Sequence, residues 1–354
     1  MAFTNGRGID PGRPADGGEG RKLRFPALIL LLMPMLLVWG CGVPGGGGLG
    51  GSADAAAQES PEGRVYTANE AESTVSVVDV ATNEVIDTLK TGESPHHLAV
   101  SPDGSQLWLT QYGEDSAAVF DTATHELITS IDLGGPSDDL SFAPDGKRVY
   151  ITLGKANSVA VVDIATREVL SKIPVGQTPH GVHVSPDGTR VYVTNTKDNT
   201  VSVIDTGQGT VISTIPVGNN PYEVAVLDTG EAYVTNFLDS TVSVIEDDRV
   251  ASTVPVGQQP SMIGVSADGA RLYTGNSGSS DVSVIDAREG QQARRIPTGR
   301  RAHGVATHDG KLYVTNTGDG TLSVLDEASG RPLATIPIGE GPNGVAVKRA
   351  GDGS

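Results

Sequence analysis

Cysteine is almost absent from the 354-residue chain, since Cys41 is its only cysteine and no intrachain disulfide can form. The sequence also lacks a Cys-x-x-Cys-His run for covalent haem, a Gly-x-Ser-x-Gly nucleophile elbow and a calcium-binding loop. Aromatic residues are few, with 5 Phe, 2 Trp and 8 Tyr, and no long stretch carries a helical period. What remains, with 46 Gly and 21 Pro, is typical of an all-β chain rich in turns.

A secretory signal is predicted at the N-terminus. The basic run Arg21-Lys22-Leu23-Arg24 precedes an apolar stretch from Phe25 to Trp39. This stretch is shorter than the ~20 residues that a membrane-spanning helix needs. We therefore expect residues 1–40 to be a signal peptide with a long basic n-region rather than a transmembrane anchor.

The dipeptide Gly40-Cys41 resembles the lipobox of bacterial lipoproteins, in which the cysteine is lipidated and becomes the new N-terminus. The resemblance implies lipid attachment at Cys41, a membrane partner through that anchor, and an extracytoplasmic location facing a periplasm or the cell surface. Residues 41–62, rich in Gly, Ala, Ser and Pro, then form a flexible tether. The alternative is an ordinary signal cleaved at Ala55-Ala56-Ala57.

Acidic residues outnumber basic ones, and the formal net charge is −18. Cleavage before Cys41 would leave 20 basic and 40 acidic residues, a net charge of −20. Because such a protein is repelled by polyanions, no nucleic-acid partner is expected.

One six-residue phrase recurs throughout the chain, as in RVYVTN at 190–195 and KLYVTN at 311–316. Its Tyr or Trp falls at seven positions spaced by about 40 residues: 66, 108, 150, 192, 233, 273 and 313. A period near 40 residues with four short strands in each unit is the signature of a β-propeller. We predict an all-β fold, a seven-bladed propeller of four-stranded antiparallel blades over residues 63–348, followed by a tail at 349–354.

Both ends of the repeat array indicate how the ring closes. The first repeat begins at Arg64 without a preceding innermost strand, and residues 344–347 form such a strand without a blade of their own. Placing residues 344–347 inside the first blade completes seven blades and predicts a monomer closed by its two termini.

Residues 64–348 resemble the YVTN family of seven-bladed β-propeller repeats, named after the tetrapeptide at 192–195, 233–236 and 313–316. The resemblance implies the fold. It leaves function open, because the family includes lactonase-like, surface-layer and DNA-binding relatives.

The repeated residues are interpreted as structural. The Tyr or Trp is expected to pack between blades, and the acid that ends each third strand, such as Asp205, to cap a turn. The glycine after each fourth strand, such as Gly218, indicates a backbone requirement.

Function is therefore expected where the repeats differ, in the residue at the start of each innermost strand. Around the predicted channel these residues are His96, Ser137, His180, Tyr222, Ser261, His303 and Asn343. His96, His180 and His303 are weak candidates for a metal site, and the same ring, with Tyr222 and Asn343, is a candidate small-ligand site. Arg300 and Arg301 beside it could receive an anion; the alternative for all these residues is a solvated loop.

The sequence thus predicts a lipid-anchored propeller that binds a small ligand or an envelope partner at the channel mouth, without a cofactor and without catalysis. One alternative is a lactonase-like hydrolase, or another metal- or cofactor-dependent enzyme, using the histidine ring. A second alternative is a nucleic-acid-binding propeller, which the net acidity and the shortage of aromatic stacking platforms disfavour.

Overall fold

A computed structural model describes residues 63–348 of the chain. The predicted signal peptide at 1–40, the lipidation site Cys41, the tether at 41–62 and the tail at 349–354 lie outside the described residues. Within the described part, no helix is long and apolar enough to cross a membrane.

The described residues form 28 strands. In chain order they are β1 (Arg64–Asn69), β2 (Thr74–Asp79), β3 (Val85–Lys90), β4 (Pro95–Val100), β5 (Gln106–Gln111), β6 (Ser116–Asp121), β7 (Leu127–Asp132), β8 (Leu140–Phe142), β9 (Arg148–Leu153), β10 (Ser158–Asp163), β11 (Val169–Pro174), β12 (Pro179–Val184), β13 (Arg190–Asn195), β14 (Thr200–Asp205), β15 (Thr210–Pro216), β16 (Pro221–Val226), β17 (Ala232–Asn236), β18 (Thr241–Glu246), β19 (Arg249–Pro255), β20 (Pro260–Val265), β21 (Arg271–Asn276), β22 (Asp281–Asp286), β23 (Gln291–Pro297), β24 (Ala302–His308), β25 (Lys311–Asn316), β26 (Thr321–Asp326), β27 (Pro332–Pro337) and β28 (Pro342–Lys348). Within residues 63–348, one 3-10 turn spans Gly154–Ala156.

These strands form seven four-stranded antiparallel sheets, which confirms the predicted seven-bladed propeller. Blade one contains β28, β1, β2 and β3, and blades two to seven follow as successive groups of four from β4 to β27. The innermost strand of each blade is therefore β28, β4, β8, β12, β16, β20 or β24, and the repeated phrase forms the second strand.

The two ends of the described chain close the ring within blade one. Strand β28 pairs antiparallel with β1, so that Val347 lies opposite Val65 and Ala346 opposite Tyr66. The predicted closing strand at 344–347 is confirmed and extends from Pro342 to Lys348.

The apolar core lies between blades rather than within one. Seven apolar clusters each join side chains of two neighbouring blades, and the cluster that contains Val65 and Tyr313 joins blade seven to blade one. The Tyr or Trp of the phrase belongs to these clusters; Trp108 and Tyr273, for example, are fully buried. This burial confirms that the repeated aromatic residue has a packing role.

Six of the seven acids that end a third strand cap a turn, as predicted, whereas among the described residues Glu246 of blade five makes no such bond. Asp205 accepts a hydrogen bond from the Gln208 N–H at 2.7 Å, and Asp326 accepts one from the Ser329 N–H at 2.7 Å. Because hydrogen bonds from the Ser329 hydroxyl and N–H favour the charged carboxylate, the pKa of Asp326 is lowered. These carboxylates therefore serve the fold.

The last residue of the phrase joins neighbouring blades. In blade seven, the Asn316 amide donates to Thr321 Oγ1 at 2.9 Å and to Ser323 Oγ at 2.8 Å. Its carbonyl oxygen accepts the Gly299 N–H of blade six at 3.0 Å. A Cβ on Gly299 would lie 2.5 Å from Asn316 Cγ, so the glycine makes room for the amide.

Candidate ligand site at the channel mouth

The innermost strands share a β-bulge near their first residue. In blade four, Pro179 pairs with Asn195 and Val182 with Val193, so His180 and Gly181 together oppose Thr194. Equivalent register shifts occur in blades one, two, five, six and seven. Bulges re-aim side chains and are common next to functional sites.

The threonine opposite the bulge holds this irregular backbone in place. Thr194 Oγ1 accepts the Gly181 N–H at 2.8 Å and donates to the Tyr222 carbonyl of the next blade at 3.0 Å. Thr110, Thr152, Thr235 and Thr315 make the corresponding pair of bonds. The repeated phrase thus fixes the backbone that carries the variable residues.

We call the first bulged residue of each blade, or its equivalent in blade three, the ring position. In blades one to seven the ring positions are Asn343, His96, Asp138, His180, Tyr222, Ser261 and His303. The predicted member from blade three, Ser137, is wrong by one residue, because Thr110 Oγ1 bonds the carbonyl of Asp138 instead. Ser137 occupies the position of Pro95 and Pro179, and its hydroxyl accepts the Gln111 N–H at 2.9 Å.

Four predicted residues lie in contact with one another, although they come from blades two, four, five and seven. The ring centroids of His96 and His180 are 5.3 Å apart, and those of His180 and Tyr222 are 3.8 Å apart. The Tyr222 hydroxyl lies 3.2 Å from His303 Nε2. We call these four side chains the mouth layer. They are half-buried rather than solvated loop residues.

Hydrogen bonds determine which nitrogen of two imidazoles carries a proton. His96 Nδ1 donates to the Asp138 carbonyl at 2.8 Å, and His180 Nδ1 donates to the Tyr222 carbonyl at 3.1 Å. A carbonyl only accepts, so both Nδ1 atoms carry hydrogen, and a neutral ring keeps a lone pair on Nε2.

Burial keeps the mouth layer neutral. It lowers the pKa of His180 to about 3 and that of His303 to about 3, and His96 adds to both shifts through like-charge repulsion. Burial also lowers the pKa of His96, and it raises the pKa of Tyr222. At neutral pH the layer therefore consists of three uncharged imidazoles and a protonated phenol.

A second tier of ionisable groups follows the mouth layer along the innermost strands. His97 forms an ion pair with Asp139, whose Oδ2 also accepts the Val182 N–H at 2.8 Å. Burial opposes ionisation of Asp139, but the charge and hydrogen bond of His97 outweigh it and lower its pKa. Burial and the negative charge of Asp139 raise the pKa of Glu223 well above its usual value.

Asp138 is a buried carboxyl at the ring position of blade three. It is 5% exposed, and its Oδ2 accepts the Gly154 N–H at 3.0 Å. Burial, together with the nearby charge of Asp139, raises its pKa to about 7. Asp138 therefore changes its charge close to neutral pH.

Replacement of Asp138 by Asn should remove a pH-dependent destabilisation. The folded pKa lies above the unfolded value of 3.8, so the wild type loses stability as the pH rises from about 4 to about 7. Compared with Asp138→Asn, the unfolding free energy of the wild type should fall by at most about 4 kcal/mol over this pH range, at about 1.4 kcal/mol for each pKa unit. Urea unfolding of both proteins at pH 4, 5.5 and 8 measures this difference. The exposed Asp145→Asn variant is the control, and parallel stability curves for wild type and Asp138→Asn would contradict the prediction.

The remaining predicted residues lie around the mouth layer. The Asn343 amide donates to Glu70 Oε2, which brings a carboxylate from blade one to the ring. The Arg300 guanidinium is exposed and binds Asp319 Oδ1 and the Gly318 carbonyl. Arg301 is also exposed, and its backbone N–H donates to Ser280 Oγ at 3.1 Å.

Sequence reasoning missed three side chains next to the layer: Glu70, Tyr112 and Phe237. The Tyr112 ring lies 6.2 Å from His96, and the Phe237 ring lies 5.7 Å from Tyr222, measured between centroids. Each of the three directly follows a repeated phrase, where other blades carry Gly154, Thr196, Ser277 or Thr317. Alignment of this loop position among the repeats would have identified them.

The histidines of the layer were also weak metal candidates. Within residues 63–348, no group of three or more His, Cys, Asp or Glu side chains is arranged to hold a metal ion. The three imidazoles share one layer, but Tyr222 lies between His180 and His303.

Comparison with known proteins agrees with this fold. A family model described as a YNCE-like beta-propeller matches residues 110–184 and 142–232. Over that stretch, from blade two into blade five, the chain is similar to YNCE-like propellers. No curated protein matches the sequence.

Solved structures show the same fold at low identity. Hydrazine synthase from Kuenenia stuttgartiensis matches with a TM-score of 0.65 and 22% identity, over 73% of this chain and 90% of that chain. A protein of unknown function from Desulfotomaculum acetoxidans has a TM-score of 0.70 and 18% identity, over 80% and 98%. AztD from Citrobacter koseri has a TM-score of 0.60 and 12% identity, over 81% and 97%. At these identities the likeness concerns the fold alone.

Proposed function

We propose that the chain is a binding propeller that holds a small ligand, or a small segment of an envelope partner, at the channel mouth. The observation that carries this proposal is the mouth layer. His96, His180, Tyr222 and His303 come from four different blades at the position where the repeats diverge, yet each contacts the next. A few convergent polar and aromatic groups on a rigid scaffold are typical of ligand sites.

The scaffold supports this function because it fixes the site in advance. The bulge places each ring residue, and the threonine of the phrase binds the bulge to the next blade, as Thr194 does for Tyr222. A site that needs no rearrangement loses little ordering entropy when a ligand binds.

For the cellular context, we propose that lipid on Cys41 anchors the protein to a membrane and that residues 42–62 hold the propeller away from its surface. The proposal follows from the lipobox-like Gly40-Cys41 and the small, polar composition of the tether. The ligand would then be met outside the cytoplasm.

A fragment screen on the full chain tests the binding function. We expect fragments that bind the wild type, detected by ligand-observed NMR, to lose at least tenfold in affinity in the His180→Ala/Tyr222→Ala variant. The matched control is His125→Ala, because His125 lies in a turn of blade two next to Tyr66, away from the ring. Circular dichroism verifies that each variant is folded.

Two results would contradict the proposal. Fragments could bind the double variant as tightly as the wild type, or they could lose affinity in His125→Ala instead. Binding of Zn²⁺ to the wild type and to the double variant is measured in parallel. One zinc ion bound per wild-type chain and none bound to His180→Ala/Tyr222→Ala would favour the metal-dependent alternative.

A further inference from the structure

The mouth layer offers hydrogen-bond acceptors rather than donors. His96 and His180 donate their Nδ1 hydrogens to backbone carbonyls, so the Nε2 lone pairs of both rings can accept hydrogen bonds from a ligand. The Tyr222 hydroxyl has a partner in His303 Nε2 at 3.2 Å. A ligand that bonds the two free Nε2 atoms must therefore supply the hydrogens itself.

Carboxylates surround the same layer. Asp138 occupies a ring position and is 5% exposed, and Glu70 is held at the ring by the Asn343 amide. The charge of Glu70 acts on both His96 and Tyr222, which places this carboxylate within electrostatic reach of the layer. An anionic ligand would meet the negative charge of Glu70 and, above about pH 7, that of Asp138, whereas a cation would be attracted.

Aromatic faces complete the surroundings. Tyr222 is flanked by Phe237, with centroids 5.7 Å apart, and Tyr112 lies beside His96 at 6.2 Å. Tyr112 is 47% exposed, so part of its ring is available to a ligand. Tyrosine and phenylalanine faces attract cations within about 6 Å, and aromatic surroundings of this kind are used to bind ammonium groups.

We propose that the channel mouth binds an alkylammonium group; this inference rests on the binding function proposed above and names its ligand class. The ammonium hydrogens bond His96 and His180 Nε2, its charge is balanced by Asp138 and Glu70, and its alkyl part lies against Tyr222 and its aromatic neighbours. The group belongs either to a free small amine or to a lysine side chain of a partner protein.

The basic residues near the ring do not reverse this preference. The Arg300 guanidinium is paired with Asp319 and the Gly318 carbonyl, and its side chain is 75% exposed. The charge of Arg301 acts on His303 and that of Lys155 acts on Asp138, but both side chains are exposed, so water screens them. The acidic groups, in contrast, are buried or half-buried at the ring itself, where electrostatic interactions are less screened by water.

Calorimetric titration of the full chain at pH 8, above the pKa of Asp138, with four-carbon probes of different charge tests the inference. We expect n-butylammonium to bind at least tenfold more tightly than n-butanol or butanoate at the same ionic strength. Glu70→Gln/Asp138→Asn should reduce butylammonium affinity about tenfold or more, because both amides keep the shape and the acceptor atom but lose the charge. Asp145→Asn, an exposed carboxyl in a turn, should leave the affinity unchanged.

A second pair of probes distinguishes the source of the ammonium group. N-acetyl-lysine methylamide that binds at least tenfold more tightly than butylammonium indicates a lysine of a partner protein. Equal or weaker binding indicates a free amine.

Several outcomes would overturn the inference: butanoate or butanol binding as tightly as butylammonium, no butylammonium binding, or binding that survives Glu70→Gln/Asp138→Asn. The fragment screen separates this failure from that of the binding function itself. Neutral or anionic fragments that bind the mouth would refute the alkylammonium class and leave the binding function intact. The absence of any mouth-binding fragment would refute both.

Discussion

Deletion of residues 342–354 is expected to abolish the single cooperative unfolding transition of the propeller. The deletion removes β28, so β1 loses its inner partner and blade one keeps three strands. It also removes Val345 from the apolar cluster between blades seven and one, where Val65 and Tyr313 would become exposed. We expect a loss of more than about 5 kcal/mol, which is comparable with the whole stability of many domains.

Urea unfolding followed by circular dichroism measures this effect. The matched control deletes residues 349–354 and leaves β28 intact, and its unfolding free energy should stay within about 0.5 kcal/mol of the wild type. The variant without residues 342–354 could instead unfold in one cooperative transition at the same urea concentration as the wild type. That result would show that ring closure by β28 does not determine stability.

The second large effect is expected from Gly299→Ala. The new Cβ would lie 2.5 Å from Asn316 Cγ and 2.7 Å from its Nδ2, closer than real atoms approach. The Asn316 amide must then move away from Thr321 and Ser323 and lose buried hydrogen bonds. We expect the unfolding free energy to fall by about 2–4 kcal/mol.

Gly135→Ala is the control for Gly299→Ala, because nothing lies within 4 Å of its new Cβ. We expect a change of less than about 1 kcal/mol there. The Gly299→Ala/Asn316→Ala double variant should be less destabilised than the sum of the single variants, since the colliding amide is absent. Additive effects in this cycle would contradict the proposed collision.

The sequence was sufficient for the blade count and the packing role of the phrase, because both are repeated seven times. It was sufficient for the closure because residues 344–347 form an innermost strand without a blade of their own. It was misleading for the glycines after the fourth strands. Only Gly134 of these adopts a left-handed backbone, with φ of +63°; at the others, including Gly176 and Gly339, a Cβ would collide with an amide side chain of the next blade. The need for glycine arises from contact with the next blade, so the residues next to each glycine in the sequence do not reveal its cause.

The candidate site was predictable only in part. Sequence spacing brought His96, His180 and His303 to the ring, but it placed Ser137 where the structure has Asp138. Blade three has Ser137 where most blades have proline, and the bulge that defines the register has no local sequence mark. The contact of His180 with Tyr222 depends on that bulge, so spacing alone could not predict it.

NMR of the full chain with histidine labelled in its imidazole tests most directly whether the channel mouth binds an alkylammonium group. The chain has 7 histidines, which lie both at the ring and away from it. During titration with n-butylammonium, we predict saturable shifts of His96, His180 and His303. The signals of His125 and of His308, at the opposite end of β24 from the ring, should stay constant. Shifts confined to His125 or His308, or no saturable shift at the three ring histidines, would contradict the account.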